Sequence, residues 1–119
     1  MTRTEAKAFA ERWIRAWNDH DVERVLDDFA EDVLFTSPHA AQLLDDSDGI
    51  VRGKAALRAY WQEGLRRLPD LRFELLEVYA GVDTMVINYR NQRGDLVCEV
   101  LEFDGALVCR GHGTYLSRS

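Results

Sequence analysis

Three features of the chain predict an α+β fold in which three N-terminal helices pack on a curved, mostly antiparallel sheet. Two amphipathic helices follow each other with little slack, a third runs up to Pro69, and the remainder is apolar stretches separated by turn residues. Thr2 and Glu5 have capping-box spacing, so helix one is expected over Arg3–Asn18, with Phe9, Ala10, Trp13, Ile14 and Trp17 on one stripe. Asn18-Asp19-His20-Asp21 favours a turn, and Asp21 caps a second helix whose stripe is Val22, Val25, Leu26 and Phe29. Val33–Ser37 reads as extended until Pro38, and His39–Gly49, rich in Asp and without periodicity, reads as a loop able to serve as a lid. Leu57, Tyr60, Trp61, Gly64, Leu65 and Leu68 recur at helical spacing and make helix three. Strands are expected at Leu71–Tyr79, Thr84–Arg90, Leu96–Phe103 and Ala106–Leu116, with turns at Gly81-Val82-Asp83, Arg93-Gly94 and Asp104-Gly105.

Residues 1–119 make one domain: 46% of them are hydrophobic and 30% charged, enough apolar side chains for a core. Fifteen basic against 21 acidic residues leave a net charge of −6, which opposes binding to nucleic acid or to anionic membranes. No apolar run approaches the ~18 residues of a membrane span, and the charged N-terminus lacks a signal peptide's apolar stretch, so a cytoplasmic location is expected. Cys98 and Cys109 sit in apolar strand sequence and are expected to stay reduced. Asp45, Asp46, Asp48 and Gly49 suggest calcium, but EF-hand spacing would put Leu44 and Ala55 at the first and twelfth positions. Zinc spacing, a phosphate-cradling glycine loop and a nucleophile elbow are also missing, so neither metal nor cofactor is expected.

Polar residues interrupt the apolar pattern of the last two strands. A two-residue turn at Asp104-Gly105 would pair Phe103 with Ala106, setting Glu99 opposite Arg110, Val97 opposite His112 and Leu101 opposite Val108. Glu99, Arg110 and His112 then share a face, with Arg110 lowering the pKa of Glu99 and His112 the candidate for proton transfer. A solvated cross-strand salt bridge would place the same residues together. Both faces of these strands are largely apolar, and the convex side, with Val100, Leu107, Cys109 and Tyr115, is expected to meet a second copy in a homodimer. Trp13, Trp17, Phe35, Tyr60 and Trp61, with Leu101 and Ser37, are candidate walls of a pocket for a small apolar or aromatic molecule, and His39 falls at its mouth. Core packing is the competing role for these aromatics.

The run of two helices, turn and strand over residues 9–38 resembles the opening of the nuclear transport factor 2-like superfamily. Its members include SnoaL-like polyketide cyclases, ketosteroid isomerases, limonene epoxide hydrolase and scytalone dehydratase. The resemblance implies a conical α+β barrel enclosing a cavity, into which one face of the last two long strands points. The ketosteroid isomerase general base falls on Ser37, its oxyanion-stabilising tyrosine on Trp13, and its protonated aspartate near Glu99. Serine is no carboxylate base and indole is a weak donor, so that reaction is not carried over. The Asp-Arg-Asp arrangement of limonene epoxide hydrolase is not carried over either, since Arg110 could supply its central arginine but no inward Asp pair accompanies it; a His-assisted dehydration like that of scytalone dehydratase has an analogue only in His112 or His39. Two functions follow as expectations. One is a cofactor-independent isomerase, cyclase, dehydratase or hydrolase acting on an apolar oxygenated metabolite; the other is a non-catalytic dimeric ligand-binding or protein-interaction module.

Overall fold

Helix α1 (Arg3–Asn18) starts where the capping box places it. The Thr2 hydroxyl accepts from the Glu5 N–H at 3.1 Å while the Glu5 carboxylate accepts from the Thr2 N–H at 2.9 Å. The computed structural model describes residues 1–43 and 48–117. Asp21 caps α2 (Val22–Leu26), accepting from the Arg24 N–H at 3.1 Å. That helix is shorter than its apolar spacing suggests, because Phe29 pairs with Val108 and opens strand β1 (Phe29–Thr36) instead. Sheet pairing outcompetes a last helical turn.

Ser37 and Pro38 do not lead into a loop but start α3 (Pro38–Leu43). The Ser37 hydroxyl accepts from the His39 N–H at 3.2 Å and its carbonyl from the Ala40 N–H at 3.1 Å. A serine cap followed by proline in the first helical position explains this, since proline has no N–H to waste there. Of the Asp-rich segment read as a lid and tested for calcium, residues 44–47 lie outside the described residues. A three-residue strand, β2 (Ile50–Arg52), pairs antiparallel with β1, and α4 (Lys54–Arg67) follows.

Four strands complete the chain: β3 (Glu74–Ala80), β4 (Thr84–Arg90), β5 (Leu96–Asp104) and β6 (Leu107–Tyr115). Their order in the sheet is β2-β1-β6-β5-β4-β3, with β1 parallel to β6 and all other neighbours antiparallel. The concave face buries Val33 and Phe35 of β1, Met85 and Ile87 of β4, and Val97, Leu101 and Phe103 of β5 against α1 and α4. Leu101 is fully buried in this core and does not line the pocket expected for it. No described helix is long and apolar enough to cross a membrane.

The final hairpin differs from its sequence reading. Gly105, with φ +62°, and Ala106 form the turn, so Asp104 pairs with Leu107. Glycine in the first central position suits a type II′ turn, whereas the expected Asp-Gly turn needs positive φ at both central residues. A bulge then leaves Cys109 unpaired between Phe103↔Val108 and Glu102↔Arg110. The Cys109 thiol donates to the Glu102 carbonyl at 3.4 Å, and both cysteines are free. Moving the turn by one residue alone keeps partners on their faces; the bulge reverses them. Glu99 accordingly lies opposite Gly113, and Val100 opposite His112.

Candidate functional site

A cavity of about 370 Å³ lies between the concave sheet face and helices α1 and α4, with its mouth toward α3 and the β4–β5 turn. Trp13 and Trp17 reach it because they are one helical turn apart on the inner stripe of α1. Trp61 of α4 packs edge-on against Trp17 and Phe35, at 5.0 and 5.4 Å between ring centres. The wall is continued by Phe73 and Tyr89, whose rings are 4.2 Å apart. Phe73 is held by Asn18: the amide donates to the Phe73 carbonyl at 2.9 Å and accepts from its N–H at 2.7 Å. The end of α1 thereby latches the approach to β3. Trp13, Trp17, Phe35, Ser37, His39, Tyr60 and Trp61, all expected at the pocket, do line it.

Glu99 is the buried carboxyl among the described residues. It is 5% exposed, and its Oε1 accepts from the Tyr89 hydroxyl at 3.0 Å. Among the described residues its Oε2 has no partner, and the same holds for Trp13 Nε1 and Trp17 Nε1. These are the orphaned buried side-chain polar atoms among the described residues, and the three residues that carry them line the cavity. Burial pushes the Glu99 carboxyl up to about 7, against a smaller downward pull from the Tyr89 hydrogen bond. The Tyr89 phenol is raised well above its ordinary value by burial and then by the neighbouring Glu99 charge, and so remains a donor. Burial also raises Tyr60 and Tyr115, with the Ser37 hydroxyl between them acting in the opposite direction. Gly113 completes this corner: a Cβ there would stand 3.5 Å from both Glu99 Oε1 and Ser37 Oγ.

The structure does not bring Arg110 and His112 to Glu99. The bulge turns both to the outer face, where Arg110 is exposed opposite Glu102. The His112 ring bridges Thr36 Oγ1, 2.8 Å from Nδ1, and Glu102 Oε2, 3.1 Å from Nε2. With no guanidinium beside it, Glu99 is shifted upward by burial, the reverse of the direction expected from Arg110. Tyr115, expected on the convex side, lines the cavity and meets His39 edge-on at 4.5 Å. Phe73 and Tyr89 were not singled out in the sequence. Tyr89 carries a usable signal, since it continues the alternation of Met85 and Ile87 on the buried face of β4; Phe73 does not, because a contact across 55 residues positions it.

Comparison with solved structures gives a SnoaL-like protein of unknown function from Burkholderia thailandensis, 37% identical, covering 98% of this chain and 99% of that one with a TM-score of 0.91. AclR from Streptomyces galilaeus, a proposed hydroxylase, is 20% identical over 98% of this chain and 92% of its own, with a TM-score of 0.74. TerC, crystallised with polyporic acid, is 15% identical over 93% and 91%, with a TM-score of 0.76. At those identities the last two show a common fold. Comparison with curated proteins returns no match. A profile of the SnoaL-like domain matches residues 10–110, which run from α1 into β6, and the chain therefore belongs to the SnoaL-like domain family.

Proposed function

We propose that the chain binds a small, flat, oxygen-bearing apolar molecule in the aromatic cavity and moves a proton to or from it through Glu99. The observation that carries this reading is the Glu99 carboxyl itself: the residue lines the cavity, one of its oxygens is anchored by Tyr89, and the other has no partner among the described residues. A carboxyl poised near 7 is populated in both protonation states at neutral pH, which suits a general acid or base. Isomerisation, cyclisation, dehydration and hydrolysis can each be served by such a group. TerC, of the same fold, was co-crystallised with polyporic acid. His112 and Arg110 take no part in the proposed chemistry, since they lie across the sheet from the cavity.

A second reading, a non-catalytic dimeric binding module, is favoured by the outer sheet face, where Leu34, Val86, Cys98 and Val100 are half-buried without a covering helix among the described residues. Dimerisation through that face is compatible with either function. Native mass spectrometry of freshly purified protein should show a retained small molecule. Glu99→Gln should keep that molecule while lowering its conversion by about 10²–10⁴-fold, the usual contribution of a positioned acid–base group. Undiminished conversion by Glu99→Gln would remove the catalytic half of the proposal. Retention with no conversion by the unaltered protein would favour the module.

A further inference from the structure

The polar groups around the cavity are unequal in kind, and their inequality bears on the ligand's chemistry. In the interior, Trp13 Nε1 and Trp17 Nε1 are donors without acceptors. At the mouth, Arg67 and Arg93 are donors by nature; Arg67 also holds Glu63 at 2.9 Å, whereas Arg93 has no ion-pair partner among the described residues. The two amides beside them have their oxygens engaged. Asn91 Oδ1 accepts from the N–H groups of Arg93 and Asp95, at 3.0 Å each, and Gln92 Oε1 from the Arg72 N–H at 3.5 Å. What these side chains still offer is their NH₂ groups. Asp95 is the one rim carboxylate among the described lining residues, set against two guanidinium groups. With Arg67 paired to Glu63, the mouth is rich in donors through Arg93 and the two amides, on a chain of net charge −6.

A ligand complementary to this wall supplies acceptors and negative charge. Resting on the reading of the cavity as a ligand site, we propose that it takes aromatic acids: flat ring systems whose ionised oxygen group sits at the mouth against Arg93 and the Asn91 and Gln92 amides. The rings lie among Trp17, Trp61 and Phe73. The free guanidinium supplies selectivity for the charge, because a charge-assisted hydrogen bond is about twice as strong as a neutral one.

The test is a pair of calorimetric titrations with 2-naphthoate and its uncharged counterpart 2-naphthamide at neutral pH and low salt. Naphthoate is expected to bind about tenfold more tightly, the lower end for a charge-assisted bond at a partly exposed rim. Arg93→Gln should bring the two affinities together by weakening naphthoate alone, and added salt should act in the same direction. Equal or tighter binding of the amide would overturn the assignment to acids while leaving the cavity as a binding site. A naphthoate preference that survives in both Arg93→Gln and Arg67→Gln would overturn the placement at the mouth. Failure of both probes to bind would count against the cavity reading and this inference together.

Discussion

Glu99 shows how far a residue's surroundings can reverse the behaviour its neighbours in sequence suggest. An unfolded glutamate ionises near 4.5 and the buried one near 7, so the unfolded state gives up its proton first as pH rises. The contribution of Glu99 to stability is therefore fully present below 4.5, falls across the interval to 7 and is lost above it. Glu99→Gln should accordingly gain stability relative to the unaltered protein between pH 4.5 and 8, by about 3 kcal/mol from a shift of this size at ~1.4 kcal/mol per unit. Denaturant unfolding of both proteins at the two pH values checks it, and a difference that does not change with pH would contradict a neutralised Glu99. His112 makes a contrasting case. His112→Ala removes the bridge between Thr36 and Glu102 and should cost about 1–2 kcal/mol with ligand affinity unchanged, because the bonds are partly solvated and face away from the cavity. Weakened binding at unchanged stability would return the imidazole to the site.

At the scale of elements, β6 lies close against the ring of Phe35. A Cβ at Gly111 would come within 3.0 Å of Phe35 Cδ1 and 3.3 Å of Leu101 Cδ2, both in the core. Gly111→Ala should therefore destabilise by about 1–3 kcal/mol, the range for overpacking. Gly113→Ala meets its neighbours at 3.5 Å, an ordinary contact, and should unfold close to the unaltered protein. Thermal denaturation ranks the two; the opposite order would show that the bulged register is misplaced. α1 was legible to the residue because its cap and stripe are local, and β4 because its alternation is clean. α3, β2 and the Cys109 bulge were not: six residues, three residues and one unpaired residue carry too little periodicity to register.

For the whole molecule, the proposed dimer has a direct measurement. Sedimentation at ~10 μM should give twice the chain mass, since an interface of ordinary affinity is saturated there. Val100→Glu, which puts a charge on the outer face opposite His112, should shift the protein toward monomer and leave cavity binding in place. A monomer at that concentration would leave the half-buried outer face as ordinary protein surface and remove the support for the module reading.

Local patterns in the chain were enough for the fold class, the extents of α1 and β4, and most of the aromatic cavity wall, because capping, helical spacing and strand alternation act over a few residues. Trp13, Trp17, Tyr60 and Trp61 lie at positions dictated by their own helices. Which polar groups meet them was decided only in three dimensions. Phe73 arrives through a latch from Asn18, Tyr89 through strand pairing, and Glu99 stands apart from Arg110 and His112 because a single bulged residue reverses one strand's faces. A side-chain period of two leaves no local trace of such a reversal: the same residues alternate either way, and the packing of the whole sheet selects which set is buried.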